Sequence, residues 1–236
     1  MLKALLTALC LLLATPAWAI TWVSGDIASA TATSTVATFL TTNAIGDTGV
    51  ACIALDQAGG ARTVTGVSDN NAWTFGATVT NGNIRKEVWY RLSATEIDVN
   101  VEATFSASTD NSAMAVEFYR SVAAIGTNNT ATGSSTTASV SLTTQDANNF
   151  VVGCLGFRSG TGAAWSAATG NLRNITDPLQ SSATFMAAVD NSAASASSVT
   201  TSATIASSQD WAAVALELRS TVATPSARQR SVMILP

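Results

Sequence analysis

Ala113-Met-Ala-Val-Glu-Phe118 returns as Ala213-Val-Ala-Leu-Glu-Leu218, at a spacing of 100. In each copy every second residue is large and apolar, the period of a strand with one buried face. The residues before them match as well. Ala103-Thr-Phe-Ser-Ala-Ser-Thr-Asp110 corresponds to Ala203-Thr-Ile-Ala-Ser-Ser-Gln-Asp210, again at 100. Further upstream, Val50-Ala-Cys-Ile-Ala-Leu55 corresponds to Val152-Gly-Cys-Leu-Gly-Phe157, at 102. Separate segments at nearly one offset mean a duplicated unit. The period is too long for a solenoid, so two half-domains packed about a pseudo-twofold axis are expected.

Other segments agree with an all-β chain. Residues 73–80 and 84–92 flank Asn81-Gly82, a strong hairpin signal. Segments 50–55 and 150–157 are apolar on both faces, as central strands can be. Clusters of Gly, Ser, Thr and Asn separate the strands, and no stretch beyond residue 19 keeps a helical period. The fold expected is all-β, a jelly-roll-like antiparallel β-sandwich of two pseudo-repeated halves. One domain spans 20–222, with halves at about 30–125 and 126–220. The Ser/Thr/Gly-rich passage 127–139 reads as a connection inside that sandwich, and neither half is expected to close a core alone.

The 236 residues include only 11% charged residues and no histidine, and the net charge is −4. Absence of histidine removes Ser-His-Asp and Cys-His nucleophile pairs and His-containing zinc sites. Nucleic acid would reward clustered Lys and Arg, and Lys86 is the only lysine after Lys3. No catalytic set, cofactor or metal site is expected. Met1–Ala19 reads as a signal-like leader: Lys3, an apolar run over 4–14, then Ala17-Trp-Ala19. Cleavage there starts the mature chain at Ile20, exported to the periplasm or the exterior and without a stable membrane span. A retained apolar anchor is the alternative.

Gly46-Asp47 precedes a buried strand. Asp69-Asn-Asn-Ala-Trp73-Thr, Glu87-Val-Trp-Tyr90 and an Ala/Ser-rich strand ending in Glu-Phe-Tyr follow. Over roughly residues 30–220 this order resembles the Ala/Ser/Thr-rich, concanavalin-like jelly-roll domains of bacterial exported proteins and tailed-phage virions. The resemblance implies a surface module, on a virion or in an exported assembly. Its motifs are structural and assign no activity.

Several residues are candidates for contact. Arg85, Glu87, Trp89 and Arg91 share one strand face. There Trp89, with Arg85 and Arg91, would stack on a sugar or anchor a partner; the competing reading covers Trp89 by its own hairpin. Glu96-Ile-Asp-Val-Asn-Val-Glu102 is similar to the Glu-x-Asp-x-Glu strand of laminarinase-type glycosidases, with Asn100 where the second Glu should stand. Glu102 is then about 7 Å too far along a strand for a retaining pair. The expected form is an amphipathic strand with Ile97, Val99 and Val101 inside. Cys52 and Cys154 occupy equivalent places. Two separate buried thiols are the expectation, and a disulfide is possible only near the axis. Glu117 and Glu217 are repeat-equivalent and read as solvent-face or turn-anchoring groups. In the tail, 223–236, Arg228 and Arg230 precede Val232-Met-Ile234-Leu235. An apolar terminus should dock, and a subunit contact is the expectation, with the arginines bonding carboxylates of the partner; the competing reading folds the tail back over its own sheet. The function expected is a non-catalytic structural or adhesive surface module that self-assembles or joins a larger particle. A carbohydrate-binding module or laminarinase-like glycosidase is the alternative.

Overall fold

The structure is a computed structural model that describes residues 19–39, 43–97, 99–158, 165–175 and 184–220. Residues 1–18 of the leader and the whole tail lie outside the described residues. Among the described residues twelve strands form two antiparallel sheets of six, one sheet from each half of the chain. In the first half these are β1 (Thr21–Phe39), β2 (Thr48–Asp56), β3 (Val64–Ser68), β4 (Thr74–Asn81), β5 (Ile84–Arg91) and β6 (Asn100–Arg120). In the second they are β7 (Val122–Thr143), β8 (Asn149–Arg158), β9 (Trp165–Thr169), β10 (Asn171–Ile175), β11 (Thr184–Ala193) and β12 (Ser198–Ser220). The orders are β1-β6-β2-β5-β4 with β3 on β6, and β7-β12-β8-β11-β10 with β9 on β12. Strand for strand, one half copies the other. Residues 127–139 are therefore interior to β7, the counterpart of β1.

Strands of 19–23 residues are far longer than the usual 3–10. They bend and serve two layers. In β1 the register with β6 breaks between Thr33 and Thr35, beside Ala32 at φ 53°. Residues 21–31 of β1 pair with 111–120 of β6, and 35–39 pair with 100–104. The second limbs, joined by β3, fold over the outer face of β2 and β5. Ile53, Leu55, Val101, Phe105, Met114 and Phe118 fill the space between. The second half repeats this with Val140, Leu155, Phe157, Phe185 and Ile205. Each half thus has an apolar core cluster of its own.

A third core joins the halves, through Val50, Cys52, Ile84, Val88, Tyr119, Val152, Cys154, Val214 and Leu216. Its contacts obey a twofold: β5 meets β8 and β12 as β11 meets β2 and β6, and β4 meets β7 as β10 meets β1. Cys52 and Cys154 are bonded to each other with Cα atoms 5.2 Å apart. The expectation of separate thiols is thereby corrected. Symmetry-related residues can meet only on the axis, so the disulfide marks it.

The β4–β5 hairpin turns at Gly82, φ +54°, where a type II′ turn needs glycine.

The spatial repeat and the sequence repeat differ by one residue in β6 and β12. Cys52 lies opposite Ala115, whereas Cys154 lies opposite Val214. The true offset there is 99, not 100. A one-residue slip turns every side chain over. Met114, Val116 and Phe118 accordingly face the first half's own core, while Val214, Leu216 and Leu218 face the shared core.

Candidate functional site

Trp89 is half-buried against the first half's core, with the Phe75 ring 5.5 Å away on the adjacent hairpin strand. Its indole N–H donates to Glu87 Oε2 at 3.0 Å. Arg85 Nε donates to the other Glu87 oxygen at 2.7 Å, and the Val64 amide donates to that oxygen at 3.2 Å. Arg91 is buried, joined to Asp69 and 2.7 Å from Thr95 Oγ1. The four residues do share a face, but Glu87 and Arg91 are closed off beneath the folded-over layer. Arg91 is therefore not on an open contact surface.

The 96–102 run is not one strand. β6 begins at Asn100, Glu96 lies in a bend, and Asp98 lies outside the described residues. Val99 and Val101 are buried as expected, but Ile97 is 58% exposed.

Glu117 and Glu217 depart most from the sequence reading. Both are fully buried, not on a solvent face, and the register slip sends them to opposite sides of their sheets. Glu217 does anchor turns: it accepts from the Gln145 amide at 2.7 Å, Asn149 Nδ2 at 2.7 Å and the Thr127 amide at 3.0 Å. Each carboxyl lies over a glycine. A Cβ on Gly25 would stand 2.0 Å from Glu117 Oε2, and one on Gly126 would stand 2.1 Å from Glu217 Oε2.

Glu117 belongs to a polar network across the seam between the halves, assembled from β1, β6, β10 and β11. Trp22 Nε1 donates to it at 2.8 Å and Asn174 Nδ2 at 2.6 Å. Beside it, fully buried Asp190 accepts from Arg173 Nε at 2.6 Å, Asn171 Nδ2 at 3.0 Å and Tyr119 Oη at 3.1 Å. The Arg173 guanidinium also lies 4.7 Å from the centre of the Trp22 ring. Donor and acceptor come from different halves in the Asn174–Glu117, Tyr119–Asp190 and Arg173–Trp22 contacts. Burial pushes the Glu117 carboxyl up to about 8; the Asn174 and Trp22 donors oppose this, and the Asp190 charge adds to it. Burial, with Asp190 and Glu117 nearby, also pushes the Tyr119 hydroxyl up. Glu117 is therefore a neutral acid at neutral pH. Both carboxyls are buried, and their hydrogen bonds join the two halves.

The opposite corner makes the network distinctive. By pairing with Val50 and Val152, the partner of Glu117 is Leu216 and that of Asp190 is Tyr90; those of Tyr119 and Trp22 are Leu218 and Ile125. That corner is part of the apolar core. The duplication thus carries its polar seam at one end only. Lys86 breaks the symmetry elsewhere: it is fully buried, its stem against Gly156, where the other half has Met186. Its amine has no hydrogen-bond partner, and burial drives it well below the usual lysine range. Neither feature was read from the sequence, because contacts separated by 57–95 residues leave no local pattern.

The described residues contain no helix long and apolar enough to cross a membrane. The chain matches no protein-family model, and neither a curated protein nor a solved structure is found similar to it.

Proposed function

We propose that the protein is a non-catalytic structural surface module, working by contact with copies of itself or other proteins of an exported assembly or a virion. The observation that carries this reading is the disulfide on the pseudo-twofold axis, which clamps two self-contained halves into one body. Such bonds persist in oxidising surroundings, in keeping with the signal-like leader and periplasmic or extracellular export. Edge strand β7 supports contact by assembly. It has 22 residues and no charge, although edges that must stay solitary are usually blunted with charges or proline. Ile45, Leu92 and Ile97 add exposed apolar side chains on two loops joined by the Gly46–Ala94 and Ala94–Asp47 backbone hydrogen bonds. The resemblance to exported and virion-surface jelly-roll domains points the same way.

The test is to purify the oxidised chain beginning at Ile20 and follow its mass by light scattering and its form by electron microscopy, with a glycan array alongside. Oligomers or particles and a blank array are expected. A monodisperse monomer with a saturable sugar signal, lost in Trp89→Ala, would replace this reading with a carbohydrate-binding module.

A further inference from the structure

A groove of about 320 Å³ opens where the two halves meet at the end of the molecule that holds both ends of the described chain. Ala19 and Ile20 form one wall, and Asn148, Phe150, Ala193 and Ala194 the others. It is mainly apolar, and its size is at the low end of cavities that hold small ligands, about 300–1,000 Å³. Its floor belongs to the shared core: Ile20 is 2% exposed, and Phe150 packs against Tyr119 at 6.3 Å. The last described residue, Ser220, is tied to this place. Its amide donates to Asn149 Oδ1 at 3.1 Å, and Asn149 lies between the lining residues Asn148 and Phe150.

Sixteen residues follow Ser220, and their one apolar stretch is Val232-Met-Ile234-Leu235. Val232 lies twelve positions beyond Ser220. Extended, that length spans roughly 40 Å, ample to turn and come back to a groove that starts beside Asn149. A short tether keeps the local concentration of the apolar end high, about millimolar. Closing a loop of this size is only weakly opposed by chain entropy. The intervening Arg228 and Arg230 stay in water while the apolar end leaves it.

We propose that residues 221–236 return to the groove of their own chain and seat Val232–Leu235 there, as a clasp over the seam between the halves. This is independent of the function proposed above, since a clasped chain can be a monomer or a subunit.

Cross-linking tests it. In the full chain carrying Ala194→Cys and Ile234→Cys, mild oxidation should join these two positions within one chain. Mass mapping of the unreduced peptides should show the new link beside the intact Cys52–Cys154 bond. That bond and an unchanged far-ultraviolet spectrum report that the fold survives. A link between two chains would give the groove to a second copy and overturn the proposal. A link from position 194 to Cys10 would give it to the leader and overturn it equally. An intact fold with no link also overturns it. In a second measurement, truncation after Ser220 should raise amide hydrogen exchange at 148–150 and 192–194 at least several-fold. Unchanged exchange there counts against the clasp.

Discussion

Replacing Lys86 by methionine should stabilise the protein, although it removes the only lysine of the described body. The other half already has methionine at this place, and a methionine is close in length to the lysine stem that packs on Gly156. What disappears is a fully buried amine without a hydrogen-bond partner. An unsatisfied buried group costs about 1–3 kcal/mol. For a domain of this size each kcal/mol moves Tm by roughly 2–4 °C, so a rise of about 2–12 °C is expected. The proton adds a pH-dependent part. Burial lowers the folded lysine well below 10.5, so between the folded and unfolded values the unfolded chain binds a proton that the folded chain refuses. Stability from this site is full above the unfolded value and is lost as pH falls toward the folded one, by about 1.4 kcal/mol per unit. The advantage of Lys86→Met is therefore smallest above pH 10.5 and widens as pH falls. Urea denaturation of both proteins at pH 7, 9 and 10.5 measures it. Equal stability at pH 7, or a gap that does not grow on going down from pH 10.5, would refute the argument that an unpaired amine sits in the shared core.

Three further outcomes follow from the same geometry. Opening the disulfide, by Cys52→Ala with Cys154→Ala, releases a constraint across 102 residues and should lower unfolding free energy by about 4.7 kcal/mol on the loop-entropy account; a loss under about 1 kcal/mol in guanidinium titrations would mean the halves need no clamp. Because the folded Glu117 value is raised from 4.5 to about 8, the native state holds the extra proton in that window, so this group's stabilisation is present below about pH 4.5 and lost as pH rises to 8. Glu117→Gln should flatten that slope, and an unchanged pH profile would argue that Glu117 is hydrated. Gly25→Ala and Gly126→Ala should each destabilise by about 1–3 kcal/mol through collision with the buried carboxyls. Gly66→Ala has nothing within 4 Å and should stay within about 0.5 kcal/mol in the same melts.

The glycine pair shows how local the readable signals were. Gly82 could be assigned from its neighbours alone, because a hairpin turn is decided by two residues and their backbone angles. Nothing near Gly25 or Gly126 in the sequence announces a carboxylate, since the group that needs the room comes from a strand about ninety residues away. Trp89 illustrates an intermediate case. The period-2 reading placed it correctly with Arg85, Glu87 and Arg91 on one face, but periodicity does not say whether a second layer covers that face. The bend of β6 supplies the cover, and the Ala/Ser-rich run 106–109 that makes the bend resembles any polar strand when read alone.

The duplication, the all-β class and the alternation of each strand follow from the sequence by itself, because they rest on residue type at fixed short spacings. Tertiary structure alone decided which way each alternation faces. The letters match at offset 100 while the strands superpose at 99, and that slip inverts the sides, since strand side chains have a period of two. That one-residue slip places Glu117 in the seam with Asp190 and Trp22 while Glu217 caps a turn on the far side. The disulfide depended on the axis position, a property of the packed pair that neither half carries alone.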